Sequence, residues 1–259
     1  MTAPSSPLDG GRVDAELRDG IATIRFHHPK GNSLPASVLR ALADAVTRAG
    51  ADPAARVVVL RSEGTGPFCA GASFDELRAI RDAASGKAFF MGFAHVILAM
   101  RRAPKFVLAR VHGKTVGGGV GLVAASDYAI ATGNAAVKLS ELAVGIGPFV
   151  VGPVIERKIG PAAFQALAID ATEFRDAAWA GQVGLYTKVV PDTAALDAAV
   201  DALAARLAGS NPEAMAKMKA TFTAGTEHWD QLLTERAGMS GTLVLSEFTR
   251  NALAAFAAR

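Results

Sequence analysis

Two short turns made almost wholly of small residues constrain this chain more than any other feature: Phe68-Cys69-Ala70-Gly71-Ala72-Ser73 and, further along, Gly117-Gly118-Gly119-Val120-Gly121-Leu122. Each runs from an apolar, strand-like stretch into a helix-like one. A helix start carries backbone N–H groups without intrahelical partners and the positive end of the macrodipole, so two converging starts make a site for a developing negative charge. Glycine and alanine suit such a site because a larger side chain would hold a reacting carbonyl away from the backbone donors. That is the makeup of an oxyanion hole.

Apolar periodicity organises the rest. Residues 13–17 and 21–26 alternate on either side of Asp19-Gly20, a hairpin signal. Residues 35–49 have the spacing of an amphipathic helix, with Pro35 early, where a helix tolerates it. Residues 56–60 and 106–111 read as short buried strands, and helices are expected over 74–84 and 87–100. The triple glycine opens a helix reaching Ser126, followed by strands at 128–131 and 136–139. This alternation of strand and helix predicts an α/β core with crossover connections. From Pro161 onward the pattern is helical apart from a short strand at 188–190, with helices over 193–208, 212–224, 226–239 and 243–258. Apolar residues of that region, among them Trp229, Leu233, Val244, Phe248 and Leu253, can pack within the chain or between chains.

Of 259 residues, 51% are hydrophobic and 20% charged, the balance of a globular chain rather than a disordered one. The apolar run 142–155 is broken by Gly and Pro and falls short of the roughly 20 residues a spanning helix needs, so no membrane segment is read. Residues 1–11, rich in Pro, Ser and Gly and without an apolar stretch, read as a disordered lead-in rather than a signal peptide, and a cytoplasmic location is expected. The single cysteine, Cys69, excludes an intrachain disulfide and fits a reducing compartment. It reads as a small packed residue, because no His-Asn partnership lies near it in sequence. A net charge of +3 with scattered lysines predicts no nucleic-acid partner; an anionic small ligand such as a nucleotide phosphate fits better. Neither a metal cluster nor a redox cofactor motif is visible.

These segments together resemble the crotonase family, also called the enoyl-CoA hydratase/isomerase superfamily. The resemblance is carried by His28-Pro29-Lys30-Gly31-Asn32-Ser33-Leu34, by the strand at 56–61, by both small-residue turns and by Ser126-Asp127-Tyr128-Ala129. It continues through Leu139-Ser140-Glu141-Leu142-Ala143-Val144-Gly145-Ile146-Gly147-Pro148 to residues 184–190. It implies a ClpP/crotonase-like β/α superhelix of ββα turns over 12–194, with a helical trimerisation region over 195–259 that builds a homotrimer or a dimer of trimers. It also implies an acyl-CoA thioester substrate, with coenzyme A entering only as part of that substrate. By position, the N–H groups of Ala72 and Gly118 match the family's two oxyanion donors. The CoA moiety is expected along Lys30, Ser33, Leu34, Ala70 and Gly71, with Phe74, Gly117 and Gly121 also at the substrate. Val144, Ile146 and Phe149 are expected to line the acyl pocket.

Hydratases of this family divide acid and base work between two glutamates. The first falls at Gly121 here and the second at Glu141, so one carboxylate remains. A single carboxylate suffices for a 1,3-proton shuttle, as in family members that move a double bond in an enoyl-CoA, and Glu141 is the expected base. A glutamate restored at 121 is expected to move activity toward hydration if the pocket admits it. The alternatives are a hydratase with a methylglutaconyl-CoA-like substrate and a substitute acid, or a non-catalytic CoA-thioester binder. Asp75 or Glu76 could be that acid, although both read first as acids of a helix's first turn. Phe149 occupies the position at which other branches carry an aspartate. His95 and His112 read as solvated or packed histidines. A loose dinucleotide pattern, Gly119-Val120-Gly121-Leu122-Val123-Ala124, begins too long after Val111 to match the strand-turn-helix fingerprint.

Overall fold

The computed structural model describes residues 10–257; the lead-in expected over 1–11 lies almost entirely outside them. β1 (Arg12–Arg18) and β2 (Ile21–His27) form an antiparallel hairpin. Its tip has φ of 50° at Asp19 and 79° at Gly20. Two positive φ values in succession make the turn whose twist matches that of the strands. α1 (Ala36–Ala51) leads to β3 (Val57–Ser62), and α2 (Phe74–Ala79) and α3 (Ala83–Arg102) lead to β4 (Phe106–Val111). β5 (Thr115–Val116), α4 (Gly118–Ala125), β6 (Tyr128–Thr132) and β7 (Val137–Lys138) follow, and then one 3-10 turn at Leu142–Val144. α5 (Gly152–Ile169), α6 (Ala177–Gln182), β8 (Lys188–Val190) and the helices α7 (Thr193–Ala208), α8 (Pro212–Thr223), α9 (Trp229–Leu243) and α10 (Glu247–Ala257) complete the order.

Six strands form one sheet in the order β1-β2-β3-β4-β6-β8, parallel throughout except for the first hairpin. Alternation within β3 decides the packing: Val58 and Leu60 face the main core with Val38, Leu42 and Ile97, whereas Val57 and Val59 face Leu196 and Val200 of α7. Both faces are covered, as a parallel sheet requires. On the α7 side, the buried Arg110 donates to Asp197 from Nε at 2.5 Å and Nη2 at 3.0 Å, so the charge there is neutralised by a bidentate pair. The boundary expected at 195 therefore falls inside a helix that closes the sheet.

The second layer positions the site. β5 and β7 pair in parallel, and isolated bridges extend that sheet from Leu34–Ala72 and Cys69–Thr115 on one side to Val137–Arg175 on the other. Val116 N–H donates to Cys69 O (2.9 Å) and Gly117 N–H to Lys138 O (2.8 Å). Three segments distant in sequence are thus held in register: the alanine-glycine turn, the glycine run and the segment that ends in Glu141.

Some elements depart from the periodicity. The helix expected over 74–84 stops at Ala79, because Ile80 is extended and the Asp82 side chain accepts from Ser85 N–H (2.8 Å) to cap α3. α5 begins at Gly152, before the expected helical region, with Pro153 in its first turn, and Gly160 (φ 78°) interrupts it. α3 is the one helix among the described residues with the length and apolarity of a membrane span. Its Phe89, Phe93, Val96 and Ile97 are buried in the core that it shares with α1 and α9. Trp229, Leu233, Val244 and Leu253 are also buried within this chain, while Phe248 is 67% exposed.

Candidate active site

A cavity of about 60 Å3 lies where the two turns meet the segment after β7. Ala70, Gly71, Ala72 and Phe74 line it from the first turn, and Gly117 and Gly118 from the second. Glu141, Val144, Ile146 and Phe149 complete the predicted set. The sheet register explains the availability of the donors. In the Leu34–Ala72 bridge, Leu34 N–H donates to Gly71 O and Ser73 N–H to Leu34 O, so the amide of Ala72 points away from that pairing. Among the described residues neither Ala72 N–H nor Gly118 N–H, at the first position of α4, has a backbone acceptor. Two free donors therefore line one cavity.

Glycine is required where these segments approach most closely. Gly117 has φ 53°, and a Cβ there would meet Glu141 Oε1 at 3.0 Å. At Gly118 a Cβ would fall 2.1 Å from the ring of Phe93, which packs directly on the helix start. Removal of either hydrogen for a methyl group would displace the carboxylate or the ring.

Glu141 begins the 3-10 turn, and its side chain makes no capping bond there. Its Oε2 is buried with no hydrogen-bond partner among the described residues. Burial pushes its carboxyl up from 4.5 to about 7, because ionisation there forgoes hydration that a hydrogen bond to its own backbone offsets only in part. A carboxylate poised near neutrality beside free N–H donors can take up and return a proton.

The remaining predicted residues lie elsewhere. Gly121, expected at the substrate, does not line the cavity: a Cβ on it would meet Val151 Cγ1 at 2.5 Å. Val151 itself lines the cavity and fills the direction from which a side chain at 121 would enter. Ser33 is buried and hydrogen-bonded to His28 Nδ1 (3.0 Å), while Leu34 is buried and ties the hairpin-to-helix segment to Gly71. Lys30 is exposed in an ion pair with Asp75. Glu76 accepts from Ala36 N–H (2.8 Å) at the start of α1, and neither acid lines the cavity. Cys69 is buried, its thiol pushed up to about 12 by burial, so it holds no nucleophilic thiolate. His112 is packed and His95 exposed. The glycine run follows β5 of the second layer, not a strand of the main sheet. Sequence reasoning missed Phe90, Phe93, Val151 and Ser240, which come to the cavity from helices and loops without a local motif.

The enoyl-CoA hydratase/isomerase family profile matches residues 16–257. The chain belongs to that family. Its fold, the crotonase fold, superposes on a solved enoyl-CoA hydratase from Mycobacterium avium subsp. paratuberculosis K-10 with a TM-score of 0.85, at 28% identity over 98% of this chain and 97% of that one. Methylglutaconyl-CoA hydratase, mitochondrial, of Rattus norvegicus is 30% identical over 217 residues, which are 82% of this chain and 68% of the rat protein. A (7aS)-7a-methyl-1,5-dioxo-2,3,5,6,7,7a-hexahydro-1H-indene-carboxyl-CoA hydrolase of Rhodococcus jostii (strain RHA1) is 36% identical over 124 residues. The chain spans about half the length of that relative, 48%.

Proposed function

We propose that this chain moves a double bond in an enoyl-CoA thioester, with Glu141 as the only acid-base group. The observation that carries the reading is that Glu141 is the one titratable side chain lining the cavity among the described residues. The thioester oxygen accepts from the N–H groups of Ala72 and Gly118. Glu141 removes a proton from C2 of a 3-enoyl thioester, and the electron pair passes through the double bond to leave a dienolate whose negative oxygen is held by those donors. The protonated carboxyl then gives the same proton to C4, and the double bond comes to rest between C2 and C3. The charge on the carboxylate and on the dienolate alternate, so no second acid is needed.

Hydration would need another carboxylate to handle water. Asp75 and Glu76 are engaged with Lys30 and the α1 start, and Val151 fills the space next to Gly121. Both support isomerisation over hydration. The test follows the conjugated thioester formed from 3-hexenoyl-CoA with wild type and Glu141→Gln. Conversion by the wild type and a loss of about 10²- to 10⁴-fold in the variant are expected; a folded Glu141→Gln protein with near-normal turnover would contradict the single-base reading.

A further inference from the structure

Ser240 of α9 lines the same cavity as Glu141 and is 1% exposed. Two other hydroxyls of that helix turn back onto its backbone, Thr234 to Asp230 O at 2.6 Å and Thr242 to Gly238 O at 3.1 Å. The hydroxyl of Ser240 makes no such bond, and its oxygen is not among the fully enclosed unpartnered side-chain atoms, so it opens on the cavity. A buried hydroxyl in apolar surroundings is unfavourable unless something completes it. Most of the cavity lining, Leu77, Phe90, Phe93 and Val150 among it, offers no acceptor side chain; the other polar side chains there are Ser140 and Glu141. Nor can the helix easily withdraw, since α9 crosses α3 at Gly86 and Gly241, where a Cβ on Gly241 would lie 2.4 Å from Lys87 N.

Two further properties of the cavity narrow what completes the hydroxyl. Its enclosed part is small, about 60 Å3, and most of the side chains that line it are apolar. No Lys, Arg or His lines it among the described residues, so a carboxylate on the acyl chain would be buried without a counter-charge.

We propose that Ser240 is a specificity determinant that hydrogen-bonds a neutral oxygen, hydroxyl or keto, carried by the acyl chain. The preferred substrate class is then an oxygenated acyl-CoA, bound more tightly than a plain fatty acyl-CoA or an acidic one. The inference rests on the thioester reading above and extends it to the acyl group.

Saturated thioesters have no double bond to migrate, so they report binding apart from turnover. Isothermal titration of wild type and Ser240→Ala with pentanoyl-CoA, 4-oxopentanoyl-CoA and glutaryl-CoA tests the inference. The wild type should bind 4-oxopentanoyl-CoA about 10-fold more tightly than pentanoyl-CoA, the scale of one net hydrogen bond, and glutaryl-CoA most weakly. Ser240→Ala should erase the preference by weakening the oxo ligand, and should melt no lower than wild type because it removes a hydroxyl that makes no bond to its own helix. Equal affinity of the wild type for pentanoyl- and 4-oxopentanoyl-CoA, a preference that survives in Ser240→Ala, or tightest binding of glutaryl-CoA would overturn the inference and leave the thioester reading standing. Failure of all three to bind would overturn both.

Discussion

At the scale of single residues, Glu141 as the proposed base would join a catalytic property to a stability cost. With its carboxyl raised from 4.5 to about 7, the fraction ionised, and with it kcat/KM, should climb through pH 7 to a plateau. A pH-rate profile of the wild type that is flat between pH 5 and about 8 would contradict that base. The same shift has a signed effect on folding. Between 4.5 and about 7 the folded chain holds a proton that the unfolded chain has released, so stability falls as pH rises across that window and levels off above it. Glu141→Gln has no such proton. Its stability should therefore exceed that of wild type increasingly from pH 4.5 to 8, by an amount on the order of 3 kcal/mol, read by urea unfolding. Gly121 carries a second residue-scale expectation. Because Val151 Cγ1 lies 2.5 Å from a Cβ at that position, Gly121→Glu alone should lower stability by overpacking and gain no hydration. Gly121→Glu combined with Val151→Gly restores room and should recover the melting temperature in part. The absence of a carboxylate at 121 was legible in the sequence; the residue that takes its space was not, because Val151 reaches Gly121 only through the packing of α5 on α4.

Among the elements, the close crossing of α3 and α9 lies next to Ser240, at the part of the cavity proposed to take the acyl group. Gly241→Ala would push its Cβ into the backbone at Gly86 and Lys87. It should lose about 1–3 kcal/mol and weaken thioester binding by shifting Ser240, whereas Gly238→Ala on the same helix, where a Cβ meets nothing within 4 Å, should be neutral or stabilising. Thermal melts of the two variants check the contrast. Legibility of the elements follows from the range of the interactions that define them. The hairpin at Asp19-Gly20 and α7 at 193–208 were readable because turn chemistry and apolar spacing are local. The break between α2 and α3 was missed because apolar spacing continues through Ile80, and the competing signal was the Asp82 cap. The start of α5 was missed because Gly152-Pro153 read as a breaker rather than as a first turn.

For the whole molecule, the layered register is the feature that assembles the site, and both turns could be recognised from sequence because small residues at a helix start are a local signature. Ser240 and Phe93 could not, since an amphipathic stripe does not say which cavity it faces. The surface carries a second molecular-scale expectation. Ile169 (71% exposed), Phe248 (67%), Leu142 (53%) and Phe222 (52%) leave large apolar side chains outward in a single chain. The family resemblance implies a trimer or a dimer of trimers, and these side chains offer apolar surface for it; light scattering should read three or six times the 26.7 kDa chain mass. A monomer at micromolar concentration would mean that these side chains remain solvated.

The central claim, that one buried carboxyl both removes and returns the proton, is tested most directly by isotope retention. A 3-enoyl-CoA carrying two deuterium atoms at C2 is converted in ordinary water, and the product of the first turnovers is weighed by mass spectrometry. A single shuttle by Glu141 predicts a population of 2-enoyl-CoA that keeps both labels, one at C2 and one delivered to C4. Product with one label only, its C4 hydrogen drawn wholly from solvent, or efficient hydration of the 2-enoyl-CoA with no isomerisation, would contradict the account.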